Sequence, residues 1–475
     1  MNENENNVEL TEEEIWISPE KNLPEADELL MLIDEKRITE FRELVETIPA
    51  PDMGVLIEDI PPEKRIIFYR LLHKEQATDV FIEMSSEIQE ELIAAFSDKE
   101  LAETFSELYL DDTVDIIEEM PALVVKRILK NSSPENRSVI NQLLRYPKDT
   151  AGTIMTTEYV RLRADMTVEE ALVHIKKVAI DKETIYTCYI TDNKRRLIGL
   201  VTAKALMLSA RDAFLSEIME ETVIFATTTE DKEEVANKFN KYGFIALPVV
   251  DNEHRLVGIV TVDDAIEVMA EEAEEDFAKM AAIIPSETEY LKTSAFSIFM
   301  ARIPWLLILM ISATFSSAIL SFFEASLIPV LVLFVPMLMD TGGNSGSQAS
   351  VTAIRGLSTG EIALSDVLRV LFKEIRVGVL CGAALGVVAF GKVMLVDRLI
   401  MNNSAVTPTV AFAVSISLTV TIIVAKIIGS TLPLLAKRLH LDPAVMASPF
   451  ITTIVDAIGL ILYFIISANL FGLTV

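Results

Sequence analysis

From Ala26 to Tyr146 apolar residues recur at three- and four-residue spacing, the period of amphipathic helices, with turn signals such as Pro61-Pro62, Ser85-Ser86 and Pro121 between the runs. Three stretches rhyme: Glu58-Asp59-Ile60-Pro61, Ile82-Glu83-Met84-Ser85 and Glu118-Glu119-Met120-Pro121. Each is followed by another apolar-periodic helix, the pattern of short helix-turn-helix units stacked into a small superhelix. After Tyr146-Pro147 the texture changes to alternating strands and helices, and one unit occurs twice, displaced by roughly 60 residues. The first copy holds Tyr189-Ile190-Thr191-Asp192 and Leu197-Ile198-Gly199-Leu200-Val201-Thr202; the second holds Pro248-Val249-Val250-Asp251 and Leu256-Val257-Gly258-Ile259-Val260-Thr261. Both read strand, polar turn, strand, with a glycine that allows close backbone approach before a helix begins. A helix dense in acid follows, with Glu267, Glu271, Glu272, Glu274, Glu275 and Asp276. Beyond it, apolar runs near 303–323, 327–353, 376–396, 408–435 and 446–470 are each long enough for the ~20 residues that cross a bilayer.

The expected architecture is multidomain: a disordered acidic tail (1–25), an all-α superhelical repeat domain (26–146), a pair of α/β units (150–210 and 211–270), a long acidic connecting helix (271–300) and a five-helix all-α transmembrane domain (301–475). Lys292 and Arg302 precede the first span, Arg355, Arg369, Lys373 and Arg376 lie between the second and third, and Lys437 and Arg438 between the fourth and fifth. The opposite loops hold only Lys392 and Arg398, so the bias places the amino terminus and acidic domains in the cytoplasm and the carboxyl terminus outside. An odd number of spans excludes a simple inverted repeat within one chain, and a dimer would supply the symmetry around a pore.

Charge sharpens this picture. Net charge is −30 over 475 residues, which argues against a nucleic-acid partner and for a cationic one. Ten Lys and Arg and eight Asp and Glu follow residue 292, so the acidic excess lies wholly before the apolar half. Cys188 and Cys381 are too far apart in sequence to form a metal-site spacing, and the soluble half reads as cytoplasmic. The polar start, Met1 to Leu10, has no apolar core, so insertion is expected to be directed by the later segments.

Two features of the apolar half are costly. One is Pro336-Met337-Leu338-Met339-Asp340-Thr341-Gly342-Gly343-Asn344-Ser345-Gly346-Ser347-Gln348; the other is Asp456 within Thr452-Thr453-Ile454-Val455-Asp456-Ala457-Ile458-Gly459. An ionised carboxylate at bilayer depth costs roughly 3 kcal/mol and normally faces water or a cation. Glycines admit backbone carbonyls to an ion path, and Mg2+, a hard cation reluctant to lose water, suits one carboxylate with several carbonyls. Glycines at such spacing also simply pack helices. Carboxylate and carbonyl ligands separate Mg2+ poorly from Mn2+ or Co2+, so an exporter or transporter of another divalent ion is an alternative. From another class, Asp340 and Asp456 could form an intramembrane aspartyl protease dyad, though neither lies in a Tyr-Asp or Gly-x-Gly-Asp context. Lys426, inside the fourth apolar run, has no evident partner in the sequence.

The doubled α/β unit resembles a pair of CBS domains. Gly258-Ile259-Val260-Thr261-Val262-Asp263-Asp264 matches that family's Gly-x-x-Thr-x-x-Asp nucleotide signature, whereas the first copy ends in Ala205 where the ribose-binding Asp is expected. The resemblance implies one ATP site, with Thr261 and Asp264. The Thr-Gly-Gly-Asn-x-Gly-x-Gln block, the late Asp456, the CBS pair, the acidic helix and the helical amino-terminal domain together resemble the MgtE family of magnesium transporters over nearly the whole chain. That resemblance implies a non-enzymatic homodimer in the bacterial plasma membrane, a pore at the subunit interface, and cytosolic domains that sense Mg2+ and close it, with Mg2+ as substrate and regulator and the lipid bilayer as partner. Carried onto this sequence, Asp456 is the pore carboxylate, with carbonyls of Gly343, Gly346 and Thr452 beside it. Sensor positions are Asp264, Glu267, Glu272, Glu275, Asp276 and Glu233, joined by Asp111, Asp112 and Asp115 in the amino-terminal domain. The family pattern has Asn where this chain has Ser448 and an acidic residue where it has Gly243.

Overall fold

A computed structural model describes residues 23–285, 290, 293–324, 328–446 and 448–472; most of the expected tail, 1–22, and part of the expected connecting helix therefore lie outside the described residues. The chain divides into two units, Met1–Val268 and Met269–Val475, and the division falls inside one helix.

The amino-terminal domain consists of α1 (Ala26–Asp34), α2 (Ile38–Val45), α3 (Ala50–Glu58), α4 (Pro62–Leu71), α5 (Lys74–Ile82), α6 (Ser86–Ala95), α7 (Asp98–Glu107), α8 (Leu110–Glu119), α9 (Ala122–Asn131) and α10 (Pro134–Leu143). The rhyming stretches are the junctions between them. Pro61, Ser85 and Pro121 are the N-caps of α4, α6 and α9, and the apolar residue before each, Ile60, Met84 or Met120, is buried. That pairing of an apolar anchor with a residue that starts the next helix fixes the entry angle at each repeat. Ser97 and Glu100 close a reciprocal capping box on α7. An aromatic cluster of Tyr69, Phe81, Phe96 and Phe105 fills the core between the repeats.

The doubled unit forms two three-stranded sheets. In the first, β1 (Tyr159–Arg163) pairs parallel with β2 (Thr184–Thr191) across α11 (Val168–Val178), and β2 pairs antiparallel with β3 (Leu197–Thr202), which leads to α12 (Ala203–Leu208) and α13 (Leu215–Ile218). The second repeats the order with β4 (Ala226–Thr227), α14 (Lys232–Tyr242), β5 (Ala246–Val250) and β6 (Leu256–Thr261). Each hairpin is turned by an aspartate: Asp192 Oδ1 accepts from the amides of Lys194 and Arg196, Asp251 Oδ1 from those of Glu253 and Arg255. The two hairpins then pair, the Leu197 amide donating to the His254 carbonyl at 3.1 Å and the Leu256 amide to the Arg195 carbonyl at 3.0 Å. Gly258 allows the edge bridge to Thr156, whose carbonyl lies 2.8 Å from where a Cβ would be.

β6 runs directly into α15 (Val262–Met280), the acidic helix. It begins nine residues before the expected boundary at 271 and ends at Met280. Ala282, in the left-handed region at φ 54°, stops it, and a new helix starts at Ala295.

The carboxyl-terminal unit contains α16 (Ala295–Glu324), the short α17 (Pro329–Val332), α18 (Val335–Ser358), α19 (Val367–Lys392), α20 (Pro408–Arg438) and α21 (Ser448–Phe471). Among the described residues four segments, Ala295–Phe323, Leu364–Ile400, Pro408–Arg438 and Pro443–Phe471, are long and apolar enough to cross a membrane. The second expected span, 327–353, is divided between α17 and α18, and α18 is too rich in glycine and polar residues to join those four. Its core is built on Phe334, Val410, Val414, Leu418, Tyr463 and Phe464, while Leu306, Ile308, Met310 and Phe315 of α16 point their apolar side chains outward, as a lipid-facing helix does.

Candidate cation sites

α18 is one uninterrupted helix, so the carbonyls of Gly343 and Gly346 belong to its hydrogen-bond ladder and offer only a second lone pair. Its small residues act first as contact surfaces. A Cβ at Gly342 would lie 2.8 Å from Thr421 of α20, one at Gly346 2.9 Å from Ile451 of α21, and one at Gly429 of α20 only 2.2 Å from the Gly346 carbonyl oxygen. Gly346 thus sits in the crossing of α18, α20 and α21, its carbonyl directed at α20.

Gly343 faces the chemistry. A Cβ there would meet Thr452 at 3.1 Å and Asp456 Oδ1 at 3.5 Å. The structure therefore brings Asp456, Thr452 and Gly343 together, with Asp340 close enough to act on Asp456 by charge. Among the described residues Asp456 Oδ1 is buried and accepts no hydrogen bond, while Thr452 Oγ1 turns away to the Pro449 carbonyl at 2.9 Å. An orphaned carboxylate oxygen between two helices at this depth lacks compensation, which a bound cation with its water would supply. The Ser448 side chain lies outside the described residues. Lys426 is buried and its Nζ donates to Gln348 Oε1 at 3.4 Å, which gives the last residue of the polar block a role that spacing did not show.

A second carboxylate group forms in the amino-terminal unit. α8 presents Asp111, Asp112 and Asp115, the start of α15 presents Asp263, Asp264 and Glu267, and the segments before β1 and β2 add Glu158 and Glu183. Glu158 ties this corner together: its Oε2 accepts from the Leu110 amide at 3.2 Å, at the start of α8, and its carbonyl accepts from the Glu183 amide. Burial, then the charge of Asp264, pushes Asp112 up to about 7 and Asp115 up to about 8. Burial, then Asp112, pushes Glu183 up to about 8, and Asp111, with Oδ1 buried and unpartnered, is raised well above the carboxylate range. Among the described residues no three acidic, His or Cys side chains converge as ligands of one metal ion, so the carboxylates face each other at repulsive separations. Sequence reasoning named Asp111, Asp112, Asp115, Asp264 and Glu267 but missed Glu158, Glu183 and Asp263; Glu158 and Glu183 are reached only through tertiary pairing, with no local signal.

The rest of the expected sensor is elsewhere. Glu275 and Asp442 flank Lys279 at 2.6 Å each, and Asp276 accepts from Ser358 Oγ at 3.3 Å, all within the carboxyl-terminal unit. Glu272 is half-buried on α15, and Glu233 is in the first turn of α14, whose Asp231 cap accepts from its amide. Gly243 ends α14 at φ 67°, a left-handed conformation that an acidic side chain would adopt only with strain. The Thr261 amide and hydroxyl both donate to Asp264 Oδ2. Asp264 also faces the carboxylates of α8.

A CBS pair joined to a bundle of apolar helices with a half-buried carboxylate at a glycine-lined crossing defines a membrane protein that handles a cation. Comparison with known proteins bears this out. Residues 335–466 match the MgtE family described as a divalent cation transporter, 48–149 the MgtE intracellular N domain, and 151–211 and 215–271 the CBS domain. The chain is 36% identical to the magnesium transporter MgtE of Thermus thermophilus, over 95% of this chain and 97% of that one, and 31% identical to MgtE of Bacillus subtilis over 92% and 95%. A crystal structure of the cytosolic domain of the Mg2+ channel MgtE in complex with ATP is 38% identical, covering 51% of this chain and 99% of that chain at a TM-score of 0.49. The chain belongs to the MgtE family.

Proposed function

We propose that this protein is a homodimeric Mg2+ channel of the bacterial plasma membrane that admits Mg2+ and is shut by Mg2+ bound to its intracellular carboxylates. The observation that carries the reading is Asp456: a half-buried carboxylate with one buried oxygen that finds no hydrogen-bond partner among the described residues, set against Gly343 and Thr452 where α18 and α21 meet. In this reading α18 is the fifth span, polar because it lines the path, and the carboxyl terminus lies outside. Two copies of the α18–α21 face enclose a hydrated ion, and Asp456 supplies the charge while carbonyls and water fill the remaining positions.

Gating uses the repulsion among the cytosolic acids. With Mg2+ scarce, Asp111, Asp112 and Asp115 of α8 oppose Asp264 and Glu267 of α15. Abundant Mg2+ bridges them, and Glu233, Glu272, Glu275 and Asp276 bind further ions. Closure then extends only as far as Mg2+ binds the closed form more tightly. ATP binding at Thr261 and Asp264 is a further part of the proposal; absence of binding heat at millimolar ATP would remove it without touching transport.

The decisive experiment is Mg2+ uptake in a magnesium-auxotrophic strain. Asp456→Ala should abolish uptake while the folded dimer persists, and near wild-type uptake by that variant sinks the assignment. Competition by Mn2+ and Co2+ in the same assay separates a Mg2+ channel from a transporter of another divalent ion.

A further inference from the structure

Lys426 is the unexpected charge of the membrane half. It lies in the middle of α20, is 6% exposed, and its stem passes over Gly378 of α19, where a Cβ would come within 3.6 Å of the Lys426 Cβ. Among the described residues its ammonium, with three donors, has one acceptor, Gln348 Oε1 at 3.4 Å. That acceptor is neutral, so no carboxylate cancels the charge locally, and in a low-dielectric bundle its field reaches well beyond contact distance. Long lysines near helix ends snorkel to the interface; this one is held inward against a residue of the polar block.

Its height relative to Asp456 follows from α18. Gly343, opposite Asp456, and Gln348, opposite Lys426, are five residues apart, a rise of about 7.5 Å along the helix. Beyond Gln348 the helix runs on to Arg355 in its last turn, the end that the basic-residue bias places in the cytoplasm. The positive charge therefore sits on the cytoplasmic side of the carboxylate.

We propose that Lys426 is a specificity-determining residue that makes conduction directional, a fixed positive charge behind Asp456 that discourages divalent cations from entering from the cytoplasm more than from outside. The inference rests on the reading of Asp456 as the ion-holding group. An asymmetric fixed charge lowers the local concentration of cations at the mouth nearer to it, so it slows entry from that side while leaving entry at the far mouth largely unchanged. A divalent ion feels the charge twice as strongly as a monovalent one, and burial limits screening by salt.

The test uses the full-length protein in excised patches with equal Mg2+ on both faces, comparing outward with inward unitary current through single open channels, so that closure by cytosolic Mg2+ does not enter the ratio. Lys426→Met, which keeps much of the stem and removes the charge, should raise the outward-to-inward ratio by roughly three- to tenfold. Lys426→Arg should keep the wild-type ratio. An unchanged ratio in Lys426→Met overturns the proposal, as does equal loss of current in both variants, which would mark the residue as purely structural. Asp456→Asn serves as the separate control: surviving current there defeats the reading of Asp456, independently of what the Lys426 variants do.

Discussion

A methyl group at Gly429 has nowhere to go: it would lie 2.2 Å from the Gly346 carbonyl oxygen, a backbone atom that cannot swing aside. Gly429→Ala should therefore separate α18 from α20 and destabilise the full-length protein by about 1–3 kcal/mol. Gly391→Ala, where nothing lies within 4 Å, should be neutral and serves as the reference. Thermal unfolding of the detergent-solubilised protein reads the difference, and equal melting temperatures would show that the crossing is looser than described. Gly343 differs in kind, because there the added atom would meet Thr452 and approach Asp456. Gly343→Val is expected to stop Mg2+ flux with a smaller loss of stability than flux, a split that isotope uptake alongside the same melting measurement resolves.

At the scale of elements, α15 combines two environments. Its first two turns place Asp264 and Glu267 opposite α8, and its last turn is held by Lys279 between Glu275 and Asp442. Replacing Asp264 and Glu267 by Asn and Gln removes ligands as well as repulsion, and loss of the ligands should dominate. Open probability in patches is then expected to stay high at millimolar cytosolic Mg2+; closure at the wild-type concentration would place the sensor elsewhere. Much of this was legible in the sequence, because the information is local. Helical periodicity, the Pro61, Ser85 and Pro121 starts and the duplicated strand-turn-strand unit are written within ten residues of where they act. What could not be read joins distant segments: Glu158 and Glu183 to α8, or Lys426 to Gln348, 78 positions away. The acidic helix ends at Met280, and the left-handed Ala282 just beyond it is a break set by a single dihedral angle, with no local signal in the sequence.

Across the whole molecule the charge of −30 gives folding a pH signature. Asp112, Asp115 and Glu183 hold protons in the folded state up to about 7, 8 and 8, while in an unfolded chain they titrate near the ordinary carboxylate value of about 4. Between those limits the native state binds more protons, so the contribution of these groups to stability is present at low pH and is lost as pH rises from about 4 towards 8. Hydrogen exchange of residues 26–268 in the full-length, Mg2+-free protein should therefore quicken from pH 5.5 to pH 8 after correction for intrinsic rates. Added Mg2+ should slow it more at pH 8, where protons no longer compete. A flat profile would mean that the acidic corner is open to water.

α15 has no glycine, proline or bend where the two units divide between Val268 and Met269. The segment that connects them is thus helical on both sides of the division. Each inserted residue turns everything beyond it by about 100°, so two extra alanines after Val268 add about 200° and seven return within about 20° of the starting angle at the cost of about 10 Å. If torsion along this rod conveys the Mg2+ signal, the two-residue insertion uncouples conduction from cytosolic Mg2+ and the seven-residue one largely restores it. If only a flexible leash is needed, both insertions behave alike, and that comparison is read by the Mg2+ dependence of open probability alone.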